Sequence, residues 1–410
     1  MERKILIEKR DSRIRTYFME NGDIVEIHSA PAKESETESH RLGDVYVGRV
    51  KNIVPNIGAA FIEIEKGVNC YYDMKDAENS FFTHKSGRKA LCIGDELVVQ
   101  ISREAVKTKA PTVTGNISFT GRYAVLTHGN TRIGVSSKIP KNLRDEYKTR
   151  LKVFQNDRFG IIVRTNAKDI PFADLLDEIT SLREEYESLF SMAVTRRCFS
   201  CLKSAPPSYI LDLKNVYMDG MQEIVVGEKD LYTRIQSFFR TELPDKLDLL
   251  KLYDNPEFPL DKLYSTQTVL DKALRERAWL KTGGYLIIQP TEALTVIDVN
   301  SGKTAVRASG RSSSEEGAMK VNLEAAEEAA KQIRLRNLSG IIIVDFINME
   351  SEENTQRLLR EFRMYLARDP IQTSLVDITP LGLVEVTRKK VRRALFEQEN
   401  YHLQARAEAL

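Results

Sequence analysis

Two stretches decide the fold of this chain: Leu294-Thr-Val-Ile-Asp-Val-Asn300 and Ile341-Ile-Ile-Val-Asp-Phe-Ile-Asn348. In each, a run of β-branched and aliphatic residues leads directly into an aspartate, Asp298 in the first and Asp345 in the second. Such runs are typical of strands buried in a sheet. If the two strands are neighbours, the two carboxylates converge, and they repel each other unless a cation lies between them.

Carboxylates in this position indicate a site for a hard cation. Oxygen ligands with few nitrogen or sulfur donors nearby favour Mg²⁺, with Mn²⁺ as the second choice. Two aspartates are few for a two-metal site, so the sequence predicts a single ion. The alternative is that each aspartate caps the turn that follows its strand and binds no metal.

Length and composition limit the number of domains and the classes of protein that are possible. The chain has 410 residues, of which 42% are hydrophobic, so it can bury a sizeable core in about two to four domains. Its 61 basic and 59 acidic residues nearly cancel, so any nucleic-acid surface must be a local patch. No run approaches the roughly 18 to 20 apolar residues of a membrane span. The charged N-terminus does not resemble a signal peptide, and we expect a cytoplasmic protein.

Four cysteines give no disulfide framework, but Cys198-Phe-Ser-Cys201 has a spacing that suits zinc or redox chemistry. The chain has no second pair of this kind, and its five histidines are distant in sequence. We therefore expect a reduced pair without a metal. The alternative is half of a zinc site that two subunits share.

The N-terminal part is rich in short strands. Residues 1–34 alternate between apolar and polar side chains, which predicts a β-meander, and about five short strands follow in roughly 80 residues, which suggests a small closed barrel of the OB type. Phe61 and Tyr71 fall where such a barrel presents one face to a ligand, and aromatic rings there stack on bases. The alternative is that both rings belong to the core.

Strong strands alternate with helices from residue 276 onward. The apolar spacing predicts amphipathic helices over Asn322–Arg336 and Glu352–Arg368. Before this region, the pattern predicts a strand at Ser208-Tyr-Ile-Leu-Asp-Leu213. After the last strand, it predicts a basic helix at Arg388-Lys-Lys-Val-Arg-Arg393.

Further motifs complete the pattern: Thr291-Glu-Ala-Leu-Thr-Val-Ile-Asp-Val-Asn-Ser-Gly302, Asn322-Leu-Glu-Ala-Ala326, Gln332-Ile-Arg-Leu-Arg336, Val344-Asp-Phe-Ile347 and Leu381-Gly-Leu-Val-Glu-Val-Thr-Arg388. Together they resemble the catalytic core of the ribonuclease E/G family, endoribonucleases that process and degrade RNA in bacteria. The resemblance extends to Gly48-Arg-Val, Ala59-Ala-Phe61 and Gly160-Ile-Ile-Val-Arg-Thr165. It therefore spans nearly the whole chain.

The resemblance implies a multi-domain α+β fold. An S1 (OB-type) β-barrel would be inserted in an RNase H-like domain, and a 5′-sensor region and a DNase I-like α/β catalytic domain would follow. The implied ranges are 1–34 plus 207–275 for the RNase H-like domain, 35–118 for the S1 RNA-binding domain, 119–206 for the 5′-sensor region, 276–400 for the catalytic domain and 401–410 for a tail.

The implied function is Mg²⁺-dependent cleavage of single-stranded RNA to 5′-phosphate and 3′-hydroxyl ends, stimulated by a 5′-monophosphate on the substrate. Asp298 and Asp345 match the family's metal ligands, and Asn300 matches the side chain that helps position the scissile phosphate. The implied role is RNA processing and decay.

Other matching residues would bind the substrate away from the scissile bond. Arg164 and Thr165 match the family's 5′-monophosphate pocket, with Gly121 and Val125 on the opposite strand. An arginine fork, a hydroxyl and backbone N–H groups suit a terminal phosphate. Three residues match or suit RNA contacts on the barrel: Phe61, Tyr71 (where the family usually has Phe) and Lys109, as a backbone contact.

The chain also departs from the family pattern. The family's zinc link between subunits follows the basic helix, but residues 397–410 contain no such cysteines. We therefore expect no zinc at that position and no small C-terminal domain. A homodimer without zinc would use the amphipathic surface of the basic helix and tail, with Val391, Leu395 and Leu403.

Three single positions differ from the family as well. Asn348 replaces an aspartate next to the catalytic strand, and Gln372 and Ser137 stand where the family has arginines near the RNA 5′ end. We expect weaker phosphate sensing as a result.

Two other functions compete with cleavage. The first is a non-catalytic S1-domain RNA-binding protein that keeps the acidic domain as a scaffold; retention of Asp298, Asp345 and Asn300 argues against it. The second is a nucleotidyltransferase, which would need a phosphate-binding loop of the Gly-x-x-x-x-Gly-Lys-Ser/Thr type. The sequence has none.

Overall fold

The computed structural model describes residues 2–32, 40–87, 90–103, 110–216, 218, 220–302 and 311–399. The chain divides into two units, residues 1–33 with 220–410 and residues 34–219. Among the described helices, none combines the length and the apolarity that crossing a membrane requires.

In chain order, the strands of the described residues are β1 (Arg3–Arg10), β2 (Arg13–Glu20), β3 (Asp23–Pro31), β4 (Val45–Val54), β5 (Ala59–Glu65), β6 (Val68–Asp73), β7 (Phe82–His84), β8 (Glu96–Arg103), β9 (Thr112–Thr114), β10 (Ser118–Thr120), β11 (Ala124–His128), β12 (Ile133–Val135), β13 (Phe159–Val163), β14 (Cys201–Lys203), β15 (Met221–Val226), β16 (Leu250–Leu252), β17 (Arg277–Trp279), β18 (Tyr285–Pro290), β19 (Leu294–Asn300), β20 (Gly340–Asp345), β21 (Thr373–Ile378) and β22 (Val384–Arg388). The α-helices are α1 (Lys141–Leu151), α2 (Phe172–Thr195), α3 (Ser208–Asn215), α4 (Lys229–Glu242), α5 (Leu260–Tyr264), α6 (Thr266–Leu274), α7 (Arg311–Leu335) and α8 (Glu352–Leu366).

The unit of residues 34–219 contains a closed barrel. Strands β4, β5, β6, β9 and β8 follow one another in the sheet, and β4 also pairs with β8, which closes the ring. The alternating sequence gives the strands two faces: Ile62 and Ile64 of β5 belong to a core with Tyr72 and Val99, and the intervening Glu63 lies on the other face. The closed barrel confirms the prediction of a small barrel and is consistent with the OB type, and the mixed α+β class is confirmed. A second sheet in the same unit, in the order β10-β11-β13-β12, packs against α2.

The other unit contains two sheets. The first has the order β16-β15-β1-β2-β3, in which the alternating N-terminal residues form the antiparallel meander β1–β3. The second has the order β17-β18-β19-β20-β22-β21 and carries both aspartate stretches on its adjacent central strands. Of its five pairings, only β19–β20 is parallel, because α7 lies in the connection between these two strands.

The six-stranded sheet buries one face against α7 and α8. Alternate residues of its central strands, such as Ile297 and Val344, share a core with Ala326 and Ile333 of α7 and with Phe362 of α8. The amphipathic helices that the sequence predicts therefore exist, and they pack on the face that their apolar spacing requires. Asp298 and Asp345 belong to the opposite face.

Two local predictions were wrong. Residues 208–215 form helix α3 rather than a strand, since Tyr209, Ile210 and Leu213 are buried at helical spacing after Pro207. The basic stretch 389–394 has no regular secondary structure, and helix begins only at Leu395.

The surface expected for a zinc-free homodimer is not available as predicted. Leu395 is fully buried in the core of its own chain, and its backbone N–H donates to the Arg336 carbonyl at 2.9 Å. Val391 is exposed, and Leu403 lies outside the described residues. The predicted dimer surface therefore lacks Leu395, because this side chain is not accessible to a second subunit.

The end of β22 is held by a buried ion pair, which gives a test of the sheet's stability. Arg388 Nε donates to Asp369 Oδ2 at 2.7 Å, and the side chains are 0% and 6% exposed. We expect Asp369→Ala to destabilise the protein by about 3–5 kcal/mol, since it leaves the buried guanidinium without its counter-charge, with only Asn337 Oδ1 and the Leu338 carbonyl as acceptors. Urea unfolding followed by circular dichroism measures the change. Glu146→Ala, which removes an exposed i,i+4 partner of Arg150, is the matched control and should cost under about 0.5 kcal/mol. Equal effects of the two variants would contradict the assignment.

Candidate active site

The two aspartates of the central strands are direct neighbours. In the parallel pairing of β19 with β20, Asp298 is the register partner of Asp345. Paired residues on adjacent strands, about 4.8 Å apart, project to the same face of a sheet. That face is the open one, because Ile297 and Val299 on either side of Asp298 belong to the buried face. The sequence prediction that the two carboxylates converge is therefore confirmed for their positions in the sheet.

Asn300 completes this group. It lies two residues beyond Asp298 on the same face, and its Nδ2 donates to Asp298 Oδ2 at 2.7 Å. The Asp298 carboxylate thus accepts a hydrogen bond from a side chain of its own strand. A turn-capping role would instead need a backbone N–H of the residues that follow.

Helix α7 fixes the backbone that follows Asp345. Asn322, fully buried on α7, donates through Nδ2 to the Ile347 carbonyl at 2.8 Å and accepts the Ile347 N–H at 2.9 Å. The side-chain amide therefore satisfies both backbone groups of one residue, two positions after the aspartate. This clamp holds the exit of β20 in place.

Two glutamates of α7 act in the same way. Glu324 accepts the backbone N–H groups of Lys281 and Thr282, in the turn between β17 and β18. Glu315 accepts the N–H of Glu350 at 3.0 Å and of Ser351 at 3.2 Å, just before α8. A further hydrogen bond from the side-chain amide of Asn354, together with these N–H groups, lowers the pKa of Glu315.

The hairpin of β17 and β18 also presses its backbone against the end of β19. A Cβ added to Gly284 would lie 2.6 Å from the Asn300 carbonyl oxygen, and one added to Gly302 would lie 2.4 Å from the Gly283 carbonyl oxygen. Neither position can accept a larger residue without movement of the backbone. The location of Asn300 is therefore set by main-chain contact as well as by its strand.

The role of Asn322 in holding the segment after β20 does not follow from the sequence pattern alone. The apolar spacing of the helix predicts only that it packs against the sheet. The signal was present: Asn322 lies four residues before Ala326 and eight before Ala330, on the buried stripe. An amide in such a stripe needs internal partners.

The donor set of the site suits a hard cation. Asp298 and Asp345 supply carboxylate oxygens, which are the ligands that Mg²⁺ and Mn²⁺ prefer. Within the ranges that the structure describes, no group of three or more His, Cys, Asp or Glu could hold a metal. An ion at the pair would therefore have two protein carboxylates and keep several waters, as Mg²⁺ commonly does.

The residues predicted to sense the RNA 5′ end lie together in the other unit. Arg164 donates to the Gly121 carbonyl at 2.6 Å and to Asn215 Oδ1 at 3.0 Å, and Thr165 Oγ1 is 2.9 Å from Ser136 Oγ. Val125 lies on β11, which pairs directly with β13, and its register partner there is Ile162. Burial lowers the pKa of Arg164, although the nearby Glu178 carboxylate opposes this shift.

Glu178 of α2 shapes this pocket. Its carboxylate accepts three consecutive backbone N–H groups, from Arg122, Tyr123 and Ala124, at 2.7–2.9 Å. The turn that begins at Gly121 is therefore ordered by an acidic side chain that sequence analysis did not single out.

Two of the three predicted RNA-contact residues are neighbours on the barrel. Phe61 of β5 is the register partner of Tyr71 of β6, and the rings meet edge to face with centroids 6.4 Å apart. Both are partly exposed, whereas Ala60 and Ile62 belong to the barrel core. The third residue, Lys109, lies outside the described residues.

Cys198 and Cys201 lie where the chain packs against the first barrel strand. Both thiols are free, and Cys201 is the register partner of Tyr46. Burial raises the pKa of Cys198 to about 11 and also raises that of Cys201. Protonated thiols are poor nucleophiles and poor metal ligands at neutral pH.

Comparison with known proteins points to one family. A model of the ribonuclease E/G family matches residues 118–391. Ribonuclease E of Synechocystis sp. is 33% identical over 88% of this chain and 54% of its own length. Ribonuclease G of Salmonella typhimurium is 29% identical, and that of Escherichia coli K12 is 28% identical, each over 96% of this chain and 81% of its own length. The chain thus spans about half the length of the ribonuclease E relatives.

The α7 clamp can be tested by removing its amide. Asn322→Ala leaves the N–H and carbonyl of Ile347 without their partners, so we expect a loss of about 2–4 kcal/mol in unfolding free energy. We also expect faster hydrogen exchange at residues 346–348, which mass spectrometry can measure. Glu327→Ala, at an exposed position of the same helix, is the control. If exchange near Ile347 is the same in both variants, Asn322 does not hold this segment.

Proposed function

This chain belongs to the ribonuclease E/G family, and on that premise we propose that it is an endoribonuclease that hydrolyses single-stranded RNA during RNA processing and decay. The observation that supports the proposal best is the in-register pair Asp298 and Asp345, with Asn300 hydrogen-bonded to the first of them. The named relatives are ribonucleases. The part of this chain that matches the family, residues 118–391, includes both aspartate stretches.

Asp298 and Asp345 would hold one Mg²⁺, with Mn²⁺ as a substitute. When bound, such an ion neutralises charge that develops on the scissile phosphate and favours deprotonation of a water. The two carboxylates keep their relative position because neighbouring parallel strands fix them. The α7 clamp then limits movement of the segment after Asp345.

Asn300 would orient the substrate. One N–H of its amide is used by Asp298, which fixes the side chain and leaves its second N–H for a phosphate oxygen. In-line attack by water on the phosphorus, with departure of the ribose 3′ oxygen, gives a 5′-phosphate and a 3′-hydroxyl end. The proton that the leaving oxygen needs comes from solvent.

A second part of the proposal is that a 5′-monophosphate on the substrate stimulates cleavage. Arg164 and Thr165 lie beside the Gly121 turn, and they offer a guanidinium and a hydroxyl to a terminal phosphate. Exposed Ser137 and Gln372 stand where the family has arginines, so the effect should be modest.

The alternative is a non-catalytic RNA-binding protein that depends on its S1-type barrel. The paired, partly exposed rings of Phe61 and Tyr71 favour RNA binding under either hypothesis. Cleavage of an A/U-rich single strand in the presence of Mg²⁺ separates the two, because the alternative predicts binding without cleavage.

The catalytic assignment predicts that Asp298→Asn lowers the cleavage rate by a factor of about a hundred or more, because one of the two anionic ligands is lost. RNA affinity, measured by filter binding, should stay within about twofold of the parent. Asp254→Asn changes an exposed aspartate outside the six-stranded sheet and should cleave normally. Undiminished cleavage by Asp298→Asn would refute the assignment.

The sensing proposal predicts faster cleavage of 5′-monophosphorylated RNA than of the same RNA with a 5′-hydroxyl, by a factor of about ten or less. Arg164→Ala should remove this difference without changing the rate on the 5′-hydroxyl substrate. Arg164→Lys, which keeps the charge but loses the fork, should retain part of it. Equal rates of the parent on both substrates would exclude sensing.

A further inference from the structure

An aromatic and cationic patch continues the active-site face toward the edge of the six-stranded sheet. Trp279 of β17 is the register partner of Tyr285 of β18, and Tyr285 is the register partner of Asn300 of β19. In the next row, Arg277 aligns with Ile287, which aligns with Asp298. All of these side chains project to the open face, because Ala278, Leu286 and Val299 between them belong to the buried core.

The patch is exposed and organised. Trp279 is the only tryptophan in the chain and is 65% exposed, an unusual exposure for so large an apolar surface. Its ring meets that of Tyr285 edge to face, with centroids 5.4 Å apart. The Arg277 guanidinium lies 4.3 Å from the Tyr285 ring centroid and 5.4 Å from that of Trp279.

The patch is also held rigidly relative to the catalytic residues. The turn between β17 and β18 donates two backbone N–H groups to Glu324 of α7. The close approach of Gly284 to the Asn300 carbonyl fixes the same hairpin against β19. A ligand that stacks on Trp279 is therefore placed at a set distance from Asn300 and Asp298.

We propose that Trp279, supported by Tyr285 and Arg277, is a stacking site for a base of the single-stranded RNA next to the scissile phosphate. This inference rests on the proposed function and specifies a stacking contact by which that site binds its substrate. Two strand spacings separate Trp279 from Asn300, about 10 Å, a distance that one or two nucleotides of an extended strand span. An aromatic ring beside a cation is the usual arrangement for a single strand, since the ring stacks on the base and the cation meets the backbone.

The chemistry favours RNA over a protein partner. The patch lies in register with Asp298 and Asn300 and is continuous with them, so a strand that runs from the scissile phosphate toward β17 passes over it. Its polar member is a guanidinium, which suits a phosphate backbone. Stacking accepts any base, so the site should increase affinity near the scissile bond without a strict sequence preference.

The single tryptophan makes a direct measurement feasible. With EDTA present to prevent cleavage, a short A/U-rich oligoribonucleotide should quench the intrinsic fluorescence of the unmodified protein, and the same strand with abasic sites near its centre should quench it less. Trp279→Ala should raise KM for the intact strand about tenfold and change kcat by less than about twofold. Trp279→Phe should restore most of the affinity.

Phe258→Ala is the matched control, because Phe258 is 47% exposed and lies outside the six-stranded sheet; its KM should be unchanged. Absence of quenching, or an unchanged KM in Trp279→Ala while the parent protein cleaves RNA, overturns the stacking site alone. A shift from dimer to monomer in Trp279→Ala, seen by sedimentation, would assign the patch to a subunit interface and also overturn it. If the parent protein cleaves no RNA with Mg²⁺ present, the proposed function itself fails.

Discussion

The parallel pairing of β19 with β20 is the constraint on which the site depends. It places two carboxylates side by side on the open face of a sheet, where electrostatic repulsion disfavours them. A stable fold keeps such an arrangement only when the surrounding backbone is fixed by other interactions. Here the apolar halves of the same strands provide this, because Ile297 and Val344 belong to a core shared with α7 and α8.

Helix α7 packs in that core and also holds the loops near Asp298, Asn300 and Asp345. Its alanines and Ile333 pack against the sheet, while Glu315, Asn322 and Glu324 hold three loops near the proposed catalytic residues. Each of these side chains forms hydrogen bonds with backbone groups of a loop. One helix thereby fixes the turn before β18, the segment after β20 and the start of α8.

The same principle operates in the other unit. Glu178 orders the turn beside Arg164 by accepting three N–H groups, so an acidic residue shapes a pocket proposed for a phosphate. Arg164 is held by a backbone carbonyl and by Asn215. The guanidinium is therefore positioned by two neutral acceptors, and the Glu178 carboxylate lies near enough to oppose the lowering of the Arg164 pKa.

Elements with strong periodicity, and the residue types of the site, can be predicted from the amino-acid sequence alone. The aspartate-ended strands follow from continuous apolar runs, α7 and α8 from apolar residues at helical spacing, and the barrel from alternation, all of which depend on local geometry. Tertiary structure decided the register that pairs Asp298 with Asp345, the helical state of residues 208–215, the burial of Leu395 and the roles of Asn322 and Glu178. These depend on contacts between residues distant in the chain, and neither periodicity nor local propensity contains that information.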